Sequence, residues 1–166
     1  MKVVGVNGFG RIGRYFVKMA LLQDDIQVAI VNDLADIKTL AHLFKYDSIH
    51  GINALSFKIE GNSLQFENGK SILFTQQRNP EEIPWGQHGV EIVIESTGIF
   101  RTREKAEKHL VGGAKKVIIS APPASNDIKT VVMGVNNSIL DGTETVISNA
   151  SCTTNNIAPL FYVMKS

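Results

Sequence analysis

Cysteine occurs once in the 166 residues, at Cys152. No intrachain disulfide can staple the fold, so packing and hydrogen bonds must hold it. Long apolar runs are missing as well. No segment approaches the roughly 18 apolar residues that a membrane-crossing helix needs, which excludes a helical span. Met1-Lys2 leads straight into Val3-Val4-Gly5-Val6, an apolar stretch too brief for a signal-peptide core, so the expected compartment is the cytoplasm. Neither sign of charge dominates: 17 Lys and Arg face 16 Asp and Glu, a formal net charge of +1. That leaves no electrostatic footprint for nucleic acid or an anionic membrane surface. Repeats and low-complexity tracts are absent too.

What is present is the composition of a globular protein, 43% hydrophobic and 20% charged, on a chain long enough for one well-buried domain. Runs rich in Val and Ile recur at residues 3–6, 28–31, 92–94, 117–119, 131–133 and 146–147, and read as buried parallel strands. Between them lie helical patterns at residues 11–22, 37–44 and 102–111, the last closed by Gly112-Gly113. Strand, helix, strand order predicts an α/β fold with a doubly wound, mostly parallel sheet, the Rossmann fold. Residues 56–60, 63–67 and 71–75 break the rhythm with short alternating runs separated by Gly61-Asn62 and Asn68-Gly69. They predict a small antiparallel meander inserted in the domain. Pro80, Pro84, Pro122 and Pro123 are placed in loops. Pro159 falls inside the predicted helix after Cys152, where it removes one backbone hydrogen bond.

Gly8, Gly10 and Gly13 form G-x-G-x-x-G between the first strand and the first helix. Glycines there permit a tight turn and a close backbone approach, and the helix N-terminus, with the amides of Arg11 and Ile12, holds pyrophosphate. Twenty residues beyond Gly13, after the second strand, Asp33 is placed to accept hydrogen bonds from the adenosine ribose hydroxyls, which favours NAD over NADP. The ordinary alternative is a plain strand-to-helix turn with Asp33 as a helix cap. Cys152 lies in Ser148-Asn149-Ala150-Ser151-Cys152-Thr153-Thr154-Asn155, after a strand and before an apolar helical run. A helix N-terminus favours an anionic side chain, so the thiol is a candidate nucleophile for an aldehyde carbon, with nearby N–H groups for the oxyanion. The alternative is a buried structural cysteine.

Asn7-Gly8-Phe9-Gly10-Arg11-Ile12-Gly13-Arg14 and Ala150-Ser151-Cys152-Thr153-Thr154-Asn155 resemble the two signatures of the glyceraldehyde-3-phosphate dehydrogenase family. Further similar stretches are Asn32-Asp33-Leu34, residues 41–48, Glu95-Ser96-Thr97-Gly98-Ile99-Phe100, residues 116–122 and Gly134-Val135-Asn136, so the resemblance runs the length of the chain. It implies an NAD-binding Rossmann domain over residues 1–150, then a nucleophile segment and first helix of a catalytic domain over residues 151–166. It implies that Arg11 and Ile12 bind pyrophosphate, Asp33 the ribose, that Arg78 flanks the adenine, and that Thr97, Gly98 and Ser120 line the nicotinamide side. Cys152 then corresponds to the nucleophile that passes through a thiohemiacetal and a thioester, with Ser151 and Thr153 contacting substrate or phosphate. The implied substrates are glyceraldehyde 3-phosphate and inorganic phosphate, the implied assembly of the complete family chain a homotetramer.

Two departures accompany the resemblance. Asn156 stands where the family usually carries a second cysteine. The family chain also continues about as long again, with the activating histidine and the substrate-phosphate groups, so this chain is expected to bind NAD without turning over by itself. His42 reads as part of an amphipathic helix, His50 and His88 as loop residues and His109 as helix surface, and none supplies the base. Exposed apolar surface is expected near Ile157, Leu160, Phe161 and Val163. The competing readings are erythrose-4-phosphate dehydrogenase, a sister family with both signatures, and a non-catalytic NAD-binding module whose thiol is redox-sensitive.

Overall fold

A computed structural model describes residues 1–165. The elements are β1 (Lys2–Asn7), α1 (Arg11–Ala20), β2 (Ile26–Asn32), α2 (Ile37–Lys45), β3 (Tyr46–Asp47), β4 (Gly51–Ile52), β5 (Phe57–Glu60), β6 (Ser63–Phe66), β7 (Ser71–Thr75), β8 (Ile92–Glu95), α3 (Arg103–Val111), β9 (Lys116–Ile119), β10 (Lys129–Thr130), β11 (Val146–Ser148) and α4 (Cys152–Lys165). Nine strands form one sheet in the order β10-β11-β9-β8-β1-β2-β7-β6-β5, and β3 and β4 pair as a separate two-stranded sheet. From β10 to β7 every neighbouring pair is parallel. The strand order reverses direction at β1, so the sheet is doubly wound and its strands end together on one edge.

The meander predicted over residues 56–75 is antiparallel, with β5 on β6 and β6 on β7. Because β7 also pairs parallel with β2, the meander extends the main sheet. Two further placements differ from the sequence reading. The strand expected at residues 131–133 is instead Lys129–Thr130. The Asn136 side chain accepts from Val132 N at 2.7 Å and donates to Thr130 O at 3.0 Å on the edge facing away from β11, and the ladder to β11 ends with Val131 N donating to Ser148 O. His109, read as helix surface, is fully buried between Trp85 and Glu95. Periodicity alone could not show this, because α3 carries polar residues on both faces. Helix α4 runs on through Pro159.

Two apolar layers hold the sheet. On one face α1 and α2 bury Val17, Ala20, Leu40, Ala41 and Phe44 against Val4, Val6, Val28 and Val31. A chain of aromatic rings joins this layer to the meander: Phe44 lies 5.4 Å from Phe9, 5.8 Å from Phe57 and 6.0 Å from Phe66. On the other face Trp85 packs with Ile30, Ile83, Val90 and Val93, while Ala106 of α3 packs on Val117, Ile119 and Val146. Gly5 makes room for the indole, since a Cβ there would stand 2.4 Å from Trp85 Cζ3. Asp36 caps α2 by accepting from Lys38 N and Thr39 N, each at 3.0 Å. Hydrogen bonding to Thr39 holds its carboxyl below the usual carboxylate range.

Phe44→Ala removes the ring that joins helix, glycine turn and meander, and is expected to cost about 3–5 kcal/mol. At about 2–4 °C per kcal/mol this lowers the melting temperature by roughly 10 °C, measurable by calorimetry. A second prediction concerns acid. Between β10 and β11, Lys129 Nζ donates to Glu144 Oε1 at 2.5 Å and to Asp141 Oδ2 at 3.1 Å. The Lys129 bond first, then backbone donors, pull the Glu144 carboxyl down from 4.5 to about 2. A lowered folded pKa means that the stabilisation is complete above pH 4.5 and disappears as pH falls toward 2. Wild type should therefore exceed Glu144→Gln in urea midpoint at pH 7, with the gap closing across that window.

Candidate functional site

The site begins where β1 ends. Gly8 has φ +93°, and a Cβ there would meet Thr97 N at 2.7 Å, so the first strand and the loop after β8 approach too closely for a side chain. A Cβ on Gly13 would lie 2.1 Å from Gly8 O, which lets α1 start directly against the strand end only if that position is glycine. Gly10 is the N-cap of α1 with no side-chain cap, and the space beside its Cα is open. The first turn of α1, with Arg11 and Ile12 both exposed, is therefore left without a capping side chain. Such a helix start presents donors and positive potential to an anion.

A cleft of about 470 Å³ opens here, lined by Gly8, Gly10, Asp33, Arg78, Thr97 and Ile99 among others. This volume falls within the range of small-molecule sites, and the cleft lies outside the carboxyl ends of the parallel strands at the reversal of strand order. A cavity of similar volume lies elsewhere, lined by Met1, Asp24, Gln27 and Lys70, and holds none of the predicted site residues. Asp33 Oδ2 accepts from Phe9 N at 2.7 Å and Oδ1 from Ala35 N at 3.0 Å, which fixes the carboxylate beside the glycine turn. Gly98, with φ +76°, sits between the two lining residues Thr97 and Ile99.

Sequence reasoning missed the cleft floor. Asn7 and Asn32, both buried, end the two central strands. Asn32 Nδ2 donates to Asn7 Oδ1 and to Gln77 O, each at 2.9 Å, while Asn32 Oδ1 accepts from Gln77 N at 2.8 Å and Thr75 Oγ1 at 2.9 Å. Ser96 Oγ donates to Gly8 O at 2.7 Å and ties the glycine turn to the neighbouring loop. The available signal was a polar residue closing an apolar strand, as in Val6-Asn7, Val31-Asn32 and Ile94-Glu95.

Ser120 and the cysteine segment stand farther along the same edge and do not line this cleft. Ser120 N donates to Glu95 O at 2.9 Å, and next to it Asn149 N donates to Ile119 O at 2.9 Å. Two strand spacings, about 10 Å, separate β11 from β8. After β11, Ser148 Oγ donates to Ala121 O at 2.7 Å and accepts from Ala150 N at 3.0 Å. Ala150 has φ +61°, unusual for a residue with a side chain, and turns the chain sharply into α4. Cys152 opens α4 and is exposed in this chain. Ser151 Oγ accepts from Thr154 N at 3.0 Å and lies 2.9 Å from Thr153 Oγ1, so Ser151 caps the helix and shares a hydroxyl cluster with Thr153. Three of the four histidines are engaged elsewhere: the His50 ring packs on Tyr15, that of His42 on Tyr46, and His109 is buried.

The family model described as the NAD binding domain of glyceraldehyde 3-phosphate dehydrogenase matches residues 2–103. The chain belongs to the glyceraldehyde 3-phosphate dehydrogenase family. It is 56% identical to a glyceraldehyde-3-phosphate dehydrogenase of Geobacillus stearothermophilus over 162 residues, covering 97% of this chain and 48% of the relative. Against the Clostridium pasteurianum protein of that name it is 52% identical over 165 residues, covering 99% of this chain and 48% of the relative. The chain thus spans about half the length of the curated relatives it matches. Its cofactor is NAD, as the family domain indicates. The residues at the cleft suit that dinucleotide, with open space beside the Cα of Gly10 and a helix start that carries no capping side chain.

Gly13→Ala should force the strand end and α1 apart. We expect a loss of about 2 kcal/mol or more in stability, since backbone cannot yield as a flexible side chain does. Added NAD should raise the wild-type melting temperature and leave that of the variant unmoved, as read by differential scanning calorimetry.

Proposed function

We propose that this chain is the cofactor-binding half of a cytoplasmic glycolytic dehydrogenase that converts D-glyceraldehyde 3-phosphate, NAD and inorganic phosphate to 1,3-bisphosphoglycerate. The carrying observation is the pairing, on one sheet edge, of the glycine-lined cleft with an exposed thiol at a helix start. In this reading residues 1–150 are the dinucleotide domain, and residues 151–166 begin the catalytic domain of a protein that assembles as a homotetramer. The apolar side chains of Ile157, Leu160, Phe161 and Met164 are exposed along α4, which fits a helix made to pack against further structure.

Within the cleft, the amides of Arg11 and Ile12 would hold the pyrophosphate. Asp33 accepts from the adenosine ribose, Arg78 flanks the adenine, and Thr97, Gly98 and Ser120 border the nicotinamide. Bound NAD supplies the two-electron acceptor. Cys152 Sγ attacks the aldehyde carbon to give a thiohemiacetal, and N–H groups at the start of α4 supply donors for the oxyanion. Oxidation leaves a thioester on Cys152, which inorganic phosphate cleaves, and the hydroxyls of Ser151 and Thr153 contact that phosphate or the substrate. The base that activates the thiol comes from the remainder of the family chain, so residues 1–166 alone bind cofactor and do not turn over.

Calorimetric titration tests the cofactor half. Saturable NAD binding with little affinity for NADP is expected, weakened about tenfold or more by Asp33→Ala, since hydrogen bonds to a charged group contribute about 1.5–3 kcal/mol. A wild-type chain that keeps its melting transition yet shows no NAD heat would sink the assignment. In the complete protein, Cys152→Ser should abolish turnover and leave NAD affinity unchanged.

A further inference from the structure

The link from β11 to the cysteine helix consists of Asn149, Ala150 and Ser151, and it bends at a strained point. Ala150 is buried with φ +61°, a left-handed conformation that a residue with a side chain adopts only where its surroundings hold it. Ser148 Oγ accepts from Ala150 N at 3.0 Å and restrains the turn from the strand side. From the helix side the restraint is Asn155. Its Nδ2 donates to Asn149 O at 2.7 Å and to Ser151 O at 3.0 Å, the carbonyls just before and just after Ala150. A side-chain amide carries two N–H donors, and here each goes to one of those carbonyls.

Neither side-chain bond is needed to start the helix. Ser151 Oγ already caps it by accepting from Thr154 N at 3.0 Å, and Asn155 N donates to Ser151 O at 3.0 Å in the first backbone bond of α4. Asparagine is also a poor residue inside a helix, because its side chain competes for nearby backbone groups. Here that competition has a direction: the side chain reaches back across Ala150 and pins the peptide groups on both sides. Released from those bonds, Ala150 would relax toward the negative φ that its Cβ favours, and residue 152, two positions on, would swing with it. Reacting atoms must come within about 3–3.5 Å in good alignment, and a misplacement of about 1 Å costs on the order of a hundredfold in rate.

We propose that Asn155 is a positioning residue of the dehydrogenase reaction: by bonding Asn149 O and Ser151 O it holds the left-handed turn at Ala150 that aims the Cys152 thiol at the aldehyde carbon. This rests on reading Cys152 as the nucleophile. Asn155 acts through the turn and not on the substrate. None of residues 148–155 lines the glycine cleft, so cofactor affinity does not depend on this clamp.

The test is steady-state kinetics on the complete protein, with NAD affinity measured by calorimetry. Asn155→Ala should lower kcat about tenfold or more while changing the KM for the aldehyde and the NAD affinity less than about twofold. It should also raise the pH at which iodoacetamide alkylates Cys152, since the thiol leaves the helix start that favours its anion. Asn155→Asp keeps the size but replaces both donors with oxygens facing carbonyls, and should lose at least as much. Glycine takes a positive φ without strain, so the clamp matters less where residue 150 is glycine. Added to Ala150→Gly, Asn155→Ala should therefore lower kcat less than about threefold. An Asn155→Ala enzyme with wild-type kcat, or a loss as large in the glycine background as in the wild type, overturns the proposal. If Asn155→Ala does not fold, Asn155→Asp replaces it in both backgrounds. Turnover that survives Cys152→Ser overturns the nucleophile reading itself, an outcome visible before any Asn155 variant is made.

Discussion

Helix α1 can begin where it does only because Gly13 carries no side chain, its Cα lying against the carbonyl of Gly8. This contact brings the helix start to the strand end and leaves its first turn facing a cleft instead of a capping side chain. Other features follow from that closeness. Gly8 must take a positive φ, Ser96 is drawn in to bond its carbonyl, and Asp33 reaches Phe9 N from the next strand. A single Cβ at either glycine would open all of them together.

Parallel strands that stop along one edge create a second constraint, because their last polar groups are buried and must find partners. The chain meets it with side chains. Asn7, Asn32 and Glu95 close three neighbouring strands and satisfy one another, the loop amides of Gln77 and Thr97, and the buried His109. The same groups that keep the sheet edge from exposing unpaired donors also form the floor of the glycine-lined cleft. Stability and site geometry share these hydrogen bonds, so substitutions there affect both.

The cysteine end is built differently. Ala150 holds a left-handed backbone conformation that costs of order 1 kcal/mol, and buried Ser148 supports the turn by bonding both Ala150 N and Ala121 O. The result is an exposed thiol at the start of a helix in which no residue is buried. The glycine turn and its strand ends are thus bonded among themselves, while Cys152 stands on an open element at the border.

Local patterns carried much of this protein in the sequence. Val and Ile runs mark buried strands because both faces of a parallel sheet are covered, and G-x-G-x-x-G with Asp33 at its spacing marks the turn because only glycine fits so near a strand end. Cys152 was legible through its polar, helix-opening neighbours. Three things were decided by tertiary structure. His109 looks like a surface residue in a polar helix and becomes buried because Trp85 and Glu95, 24 and 14 positions away, offer it both partners. The strand expected at residues 131–133 ends at Thr130, and the side chain of Asn136 folds back to bond Thr130 O and Val132 N, a reach no hydropathy pattern records. The floor of Asn7, Asn32 and Glu95 exists only once three separate strands lie side by side. Periodicity reports which face a residue shows to its own element, whereas hydrogen-bond partners across a sheet depend on register between elements, and that is set by the packed whole.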